Sequence, residues 1–295
     1  MTTTANNTGY FSERWKAKNI ITINSLGYRE KEFDQDNESN QYRIAVIGDS
    51  FAYGQGISVT KRFSNIINSK LSDKYQNIEV LNFSKPGAET VDHIEMLKQH
   101  VVPSKPDFVL LQWFVNDVEG GSNITRPKYK RLIPSWALTS ALNKHSALYF
   151  LVNSAWVNIQ TSLGWVDSYE KHLIDHFKDP NTEASINSSK AMNHFINICN
   201  KQSIPMGIVL FPVLSDSLKQ DYALGFLSDR VLAQCKENNI TCLDLRESYS
   251  NIEPVSSLWV NGFDHHPGPL ANEIAAEKII DNYSNTWISS KKVYK

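Results

Sequence analysis

The chain has 295 residues, a formal net charge of −1, 41% hydrophobic residues and 21% charged residues. That composition fits a globular protein with enough chain to bury a real core, and it excludes a disordered or collagen-like polymer. The near-zero net charge gives no footprint for nucleic acid or for an anionic membrane, and no apolar run approaches the length of a membrane span.

The three cysteines, Cys199, Cys235 and Cys242, form no C-x-x-C pair, so neither a metal motif nor a redox motif is expected. Their odd number argues against a disulfide framework, although Cys235 and Cys242 can pair in an oxidising compartment. Met1 to Gly9 is polar, with no basic n-region and no apolar core, so it does not read as a signal peptide. A soluble protein is expected, with its compartment left open.

Residues 1–19 read as a flexible segment, and residues 20–295 as one domain. Ile20 to Ile23 is a short strand candidate, followed by a turn over Asn24 to Arg29. The polar, acidic stretch Asp34 to Gln41 is a loop. The run Ile44 to Ile47 within 43–47 reads as a buried parallel strand. Helical spacing of Phe63, Ile66, Ile67 and Leu71 predicts a helix from Arg62 to Leu71. Ile78 to Phe83 is the next strand, Glu89 to Val102 a helix, and Asp107 to Phe114 a strongly apolar strand. The strand–helix alternation then stops. The apolar, aromatic-rich stretch Ala137 to Val166 reads as a helical insertion within 120–189, either extra packing or a wall over a site. Alternation resumes with a helix at Lys190 to Gln202, a strand at Met206 to Phe211, a helix at Asp221 to Asn238 and a strand at Thr241 to Leu245. A loop follows through Gly262. Pro269 to Trp287 closes the chain as a helix whose stripe is Ala271, Ala275, Ile279 and Tyr283. Strands alternating with helices predict a parallel sheet covered on both faces.

Chemistry concentrates where strands end. The central strand stops at Gly48-Asp49-Ser50, a turn that lifts the next side chain to the carboxyl edge of the sheet, where open α/β folds place ligands. Ser50 is therefore either a nucleophile or the cap of a following helix. Neither phosphate-loop spacing, G-x-x-x-x-G-K-[ST] nor G-x-G-x-x-G, is present. A nucleophilic serine needs a base and a group that orients the base. Asp264-His265-His266-Pro267 can supply both. Pro267 biases His266 toward extended backbone, and residues two apart in extended chain share a face. Asp264 and His266 then face one way and His265 the other. Acyl transfer also needs donors for the developing oxyanion. Gly87, with a bare backbone N–H, and Asn116, with a side-chain amide, both follow strands. His172 and His176 lie four apart but lack the Glu of H-E-x-x-H, and read as a solvated helix face. No metal site is expected.

Taken together, these blocks resemble the SGNH (GDSL-type) hydrolases. Gly48-Asp49-Ser50-Phe51 looks like the first family block, Gly87 the second, Asn116 in Val115-Asn116-Asp117 the third, and Asp264-His265-His266-Pro267 the last. The segment Asn24 to Arg29 also resembles one that precedes the domain in several bacterial members. Two departures stand out. Phe114 occupies the glycine position of G-x-N-D. The last block reads D-x-H where D-x-x-H is frequent, which puts Phe263 three residues before His266.

The resemblance implies a three-layer α/β/α fold with a five-stranded parallel sheet, flavodoxin-like, plus the insertion. It implies Ser50 as nucleophile, His266 as base, Asp264 orienting it, and an oxyanion hole made by the Ser50 N–H, the Gly87 N–H and the Asn116 amide. No cofactor is implied. The implied reaction is hydrolysis of an O-acyl ester, O-acetyl first, on a carbohydrate. A polysaccharide O-acetyltransferase with the same residues and a non-catalytic carbohydrate-binding domain are the alternatives.

Overall fold

The computed structural model describes residues 3–5, 21–122, 124–215, 218, 222–262, 264–289 and 293. Ile20, Asp221, Phe263 and all of the 1–19 segment except Thr3–Ala5 lie outside the described residues. Thr3–Ala5 pairs antiparallel with the strand Ile21–Ile23.

The central sheet is built from five short apolar strands. They are β1 (Tyr42–Gly48), β2 (Ile78–Ser84), β3 (Phe108–Trp113), β4 (Met206–Leu210) and β5 (Thr241–Asp244). All neighbours are parallel, in the order β2-β1-β3-β4-β5. The order reverses at β1, so the switch point of this doubly wound sheet lies where β1 ends.

Side chains along the strands alternate between two cores, as period-two geometry requires. Ala45, Ile47, Leu81, Phe83, Val109 and Leu111 face one layer. Ile44, Val46, Val80, Phe108, Leu110 and Val209 face the other. The second layer holds α2 (Phe63–Ser72) and α10 (Pro269–Ile288). There Ile67, Leu71, Ala275, Ile279 and Tyr283 are buried as their spacing predicts. The first layer holds α3 (Thr90–Met96), α7 (Glu183–Lys201) and α8 (Gly225–Glu237). The expected α/β/α sandwich is what the chain forms. Among the described residues no helix is long and apolar enough to cross a membrane.

Several boundaries differ from the expectations. α3 does not run as one α-helix to Val102. It widens into a π-turn over Leu97–Val101 and ends in a 3-10 turn, Val102–Ser104, that accommodates Pro103. α7 starts seven residues before the expected Lys190. Thr182 caps it by accepting from the Ser185 N–H at 3.2 Å, and the polar first turns conceal that start in the sequence. The insertion therefore ends near residue 182. It holds α4 (Trp136–His145), α5 (Ala147–Ser162) and α6 (Tyr169–Phe177). Ser146 interrupts what reads as one apolar helix, capping α5 through the Tyr149 N–H.

The expected loop through Gly262 is largely structured. It contains a short helix α9 (Arg246–Ser250), and a hairpin of β6 (Trp259–Asn261) with β7 (Asp264–Pro267). Cys235 and Cys242 form a disulfide that ties the end of α8 to β5, and Cys199 is free and buried.

Candidate active site

The turn after β1 is held from below by a buried glutamine. Gln112 Oε1 on β3 accepts from the backbone N–H groups of Asp49 (3.1 Å) and Ala52 (3.2 Å). Gly48 is required there: a Cβ would lie 2.4 Å from Gln112 Oε1 and 2.6 Å from Ala52 Cβ. A short helix α1 (Ser50–Tyr53) follows. Its cap is Asp49, whose carboxylate accepts from the Phe51 N–H at 2.8 Å. The cap lies one residue before Ser50, so Ser50 is free of that duty and its side chain points elsewhere.

It points to the last block. His266 Nε2 is 3.0 Å from Ser50 Oγ, and His266 Nδ1 is 2.5 Å from Asp264 Oδ1. A carboxylate only accepts, so Nδ1 carries the proton and Nε2 offers its lone pair to the Ser50 hydroxyl. Asp264 Oδ1 also accepts from the His266 backbone N–H at 3.1 Å, so one carboxylate oxygen fixes both ring and backbone. Both residues lie on β7, where extended geometry puts them on one face. His265 makes no such hydrogen bond with Ser50 or Asp264; it stacks on Trp259, with ring centroids 3.8 Å apart and planes 20° apart, and lines the pocket beside His266. Burial pushes its pKa down, with the charge of His266 adding to the shift and that of Asp264 opposing it.

Gly87 and Asn116 line the same pocket as Ser50, Asp264 and His266. Gly87 has φ +77° and no atom within 4 Å of a would-be Cβ, so its backbone faces open space in a conformation that favours glycine. One Asn116 amide hydrogen goes to Ala88 O at 3.0 Å, which orients the amide and leaves its second hydrogen available. Phe114, where the family block has glycine, packs against Phe51 with ring centroids 4.1 Å apart and planes tilted by 33°, and both rings line the pocket. The pocket has a volume of about 490 Å³. No group of three or more His, Cys, Asp or Glu suited to a metal occurs among the described residues.

The surroundings hold residues that motif reading missed. Arg29, buried, donates to the carbonyls of Tyr53, Gly54 and Ile57 and so clamps the loop after α1. In that loop Gly56 has φ +80°, and a Cβ there would meet Val260 at 2.7 Å and Asp264 Oδ2 at 3.3 Å. The upstream Asn24-to-Arg29 segment thus supports the Asp264 strand through the loop.

Under the site, fully buried His93 lies 3.1 Å from Asp117 Oδ1. Burial opposes the His93 charge, but Asp117, Asp49 and Asp92 outweigh it and raise its pKa. Asp49 is pushed up to about 6, by burial first and by Asp117 second.

His172 is not on a solvated face. It is buried, 3.2 Å from Glu119 Oε1. Glu119 also accepts from Tyr169 Oη (2.6 Å) and Arg126 Nε (2.7 Å). Glu119 precedes His172 by 53 residues, so no local spacing signals the pair. Arg126 and Tyr169 reach the pocket wall, and so join the two ends of the insertion to the site.

This is the arrangement of a serine acylhydrolase on a doubly wound sheet. The family model described as GDSL-like Lipase/Acylhydrolase matches residues 44–279. The chain belongs to that family and is a GDSL-type ester hydrolase. Similar solved structures include a lipase/acylhydrolase from Enterococcus faecalis, at 13% identity with a TM-score of 0.51 over 83% of this chain and 97% of that one. The structure of TesA is 12% identical, with a TM-score of 0.52 over 82% of this chain and 98% of its own. The acetyl xylan esterase AlAXEase is 16% identical, with a TM-score of 0.51 over 81% of this chain and 98% of its own. At these identities the likeness is one of fold. No curated protein matches the chain by sequence.

Proposed function

We propose that the protein is a serine esterase that removes a short acyl group, acetyl first, from a carbohydrate. The observation that carries the catalytic part is the continuous contact Ser50 Oγ to His266 Nε2 and His266 Nδ1 to Asp264. Ser50 Oγ attacks the ester carbonyl carbon as its proton passes to His266 Nε2. The carbonyl oxygen takes up the negative charge, facing the Ser50 and Gly87 N–H groups and the second Asn116 amide hydrogen. The tetrahedral adduct collapses and the leaving alkoxide takes the proton from His266. Water then attacks the acyl-Ser50 ester and gives a proton to His266; as this second adduct collapses, His266 returns the proton to Ser50 Oγ and the acid leaves. Asp264 stabilises the transient imidazolium without accepting its proton.

The short-chain preference is supported by the Phe51–Phe114 pair, which occupies volume beside Ser50. The carbohydrate reading is supported by hydrogen-bonding groups at the pocket wall, Arg126, Tyr169 and His265, and by the fold shared with an acetyl xylan esterase. The test is a chain-length series of p-nitrophenyl esters together with acetate release from acetylated xylo-oligosaccharides. Preference for acetate in both supports the proposal. Preference for long chains, with no acetate released from the sugar, overturns it. If acetate moves to an added sugar in place of water, the enzyme is an O-acetyltransferase.

A further inference from the structure

The near-neutral charge of the whole chain conceals a local asymmetry. The 47 residues from Gly120 to Val166 contain none of the chain's 31 Asp and Glu residues, yet carry Arg126, Lys128, Lys130, Arg131 and Lys144. Among the described residues, the same segment holds the most exposed large apolar side chains. Leu148 is 73% exposed, Trp136 67%, Leu163 58% and Trp165 56%.

These two features are adjoining. On α5 and at its C-cap, the exposed residues Leu148, Val152, Ile159 and Leu163 are spaced four, seven and four apart, which places them within a sector of about 60° at 3.6 residues per turn. The basic segment is fastened alongside this helix. Lys130 N donates to Gln160 Oε1 at 2.7 Å, and Lys130 O accepts from Trp156 Nε1 at 2.8 Å. Lys128, Lys130 and Arg131 are themselves exposed. The Arg131 guanidinium lies 4.6 Å from the ring of exposed Trp136. An apolar stripe, flanking tryptophans and a one-sided set of cations form the pattern that lies flat in a bilayer interface and draws on anionic headgroups.

We infer that the α4–α5 insertion is a docking surface for an anionic phospholipid membrane. The occupant is a lipid surface because exposed Lys128, Lys130 and Arg131 border the apolar stripe and the segment itself holds no acidic residue; Arg126 is taken up by Glu89 and Glu119 outside it. Arg126 and Tyr169 bracket the segment and line the Ser50 pocket, so docking would place the pocket mouth near the membrane plane.

The test is vesicle flotation of the full chain, with circular dichroism and thermal melting as checks on folding. The vesicles are phosphatidylcholine alone and phosphatidylcholine with phosphatidylglycerol. The variants are Lys128→Glu/Lys130→Glu/Arg131→Glu and Leu148→Ser/Val152→Ser/Ile159→Ser, all at exposed positions. Wild type is expected to float with the anionic vesicles, weakly with neutral ones, and to be released by high salt. The charge variant should lose about a hundredfold in partitioning, and the apolar variant should not float while melting as wild type does. Absence of wild-type flotation overturns the inference, and so does equal flotation with both vesicle types or retained flotation of the charge variant. A dimer in light scattering that the apolar variant dissociates, without vesicle binding, would assign the surface to a second copy. None of these readouts depends on esterase turnover.

Discussion

Replacing Gln112 with methionine tests how the turn bearing Ser50 is held. Gln112 is fully buried on β3, and its Oε1 is the acceptor for the Asp49 and Ala52 N–H groups. Methionine has nearly the same volume and shape but accepts no such bond, so two buried N–H groups lose their partner. Each orphaned group costs about 1–3 kcal/mol, which gives about 2–6 kcal/mol for the pair. Gln112 Nε2 has no partner among the described residues, so its removal offsets part of the loss and favours the lower half of that range. At about 2–4 °C per kcal/mol for a chain of this size or slightly smaller, melting should fall by about 5–15 °C. Ser50 sits between the two freed amides, so the turn should relax. A displacement near 1 Å costs on the order of a hundredfold in rate. The assay is scanning calorimetry with kcat/KM on p-nitrophenyl acetate. A variant that melts within about 2 °C of wild type with unchanged kcat/KM would refute the view that Gln112 braces the nucleophile turn.

The two histidines of β7 should separate cleanly. His265→Ala removes a ring stack worth about 1 kcal/mol and should change kcat/KM only a few-fold, whereas His266→Ala should remove about three or more powers of ten; equal losses would contradict the assignment of the base. Asp49→Asn tests the buried carboxyl. The folded pKa is raised to about 6 from an ordinary 3.8, so the native state binds more protons between those values and this contribution to stability falls as pH rises through them. The amide keeps an acceptor for the Phe51 N–H. The variant should therefore melt with wild type near pH 4 and gain on the order of 1–3 kcal/mol relative to it above pH 6. A pH-independent offset in thermal melts would contradict this.

The sheet was legible because β1, β2, β3 and β4 are nearly continuous apolar runs between breakers, and buried parallel strands need little else. The positions of Ser50, Gly87 and Asn116 were legible because each follows such a run. The shared face of Asp264 and His266 followed from Pro267 and extended geometry. What stayed hidden depends on contacts distant in sequence. Gln112 reads as one polar residue in an apolar strand, and only the fold shows that it serves a turn 60 residues away. His172 reads as surface because its partner Glu119 lies on another element. The β6–β7 hairpin was missed because three partly buried residues, Trp259–Asn261, show no periodicity. The early start of α7 is hidden because its first two turns bury only Ala184 and Ser185 and so show no apolar stripe, and its cap, Thr182, resembles any loop threonine.

The central claim is that Ser50 is the attacking group. The most direct measurement is kcat/KM of wild type and Ser50→Ala on p-nitrophenyl acetate, with intact-mass detection of a fluorophosphonate adduct. Wild type is expected to turn over the ester and gain one adduct, while Ser50→Ala keeps its fold, takes up no adduct and loses at least about three powers of ten. Equal turnover by the two proteins, or an adduct retained in Ser50→Ala, would contradict the account.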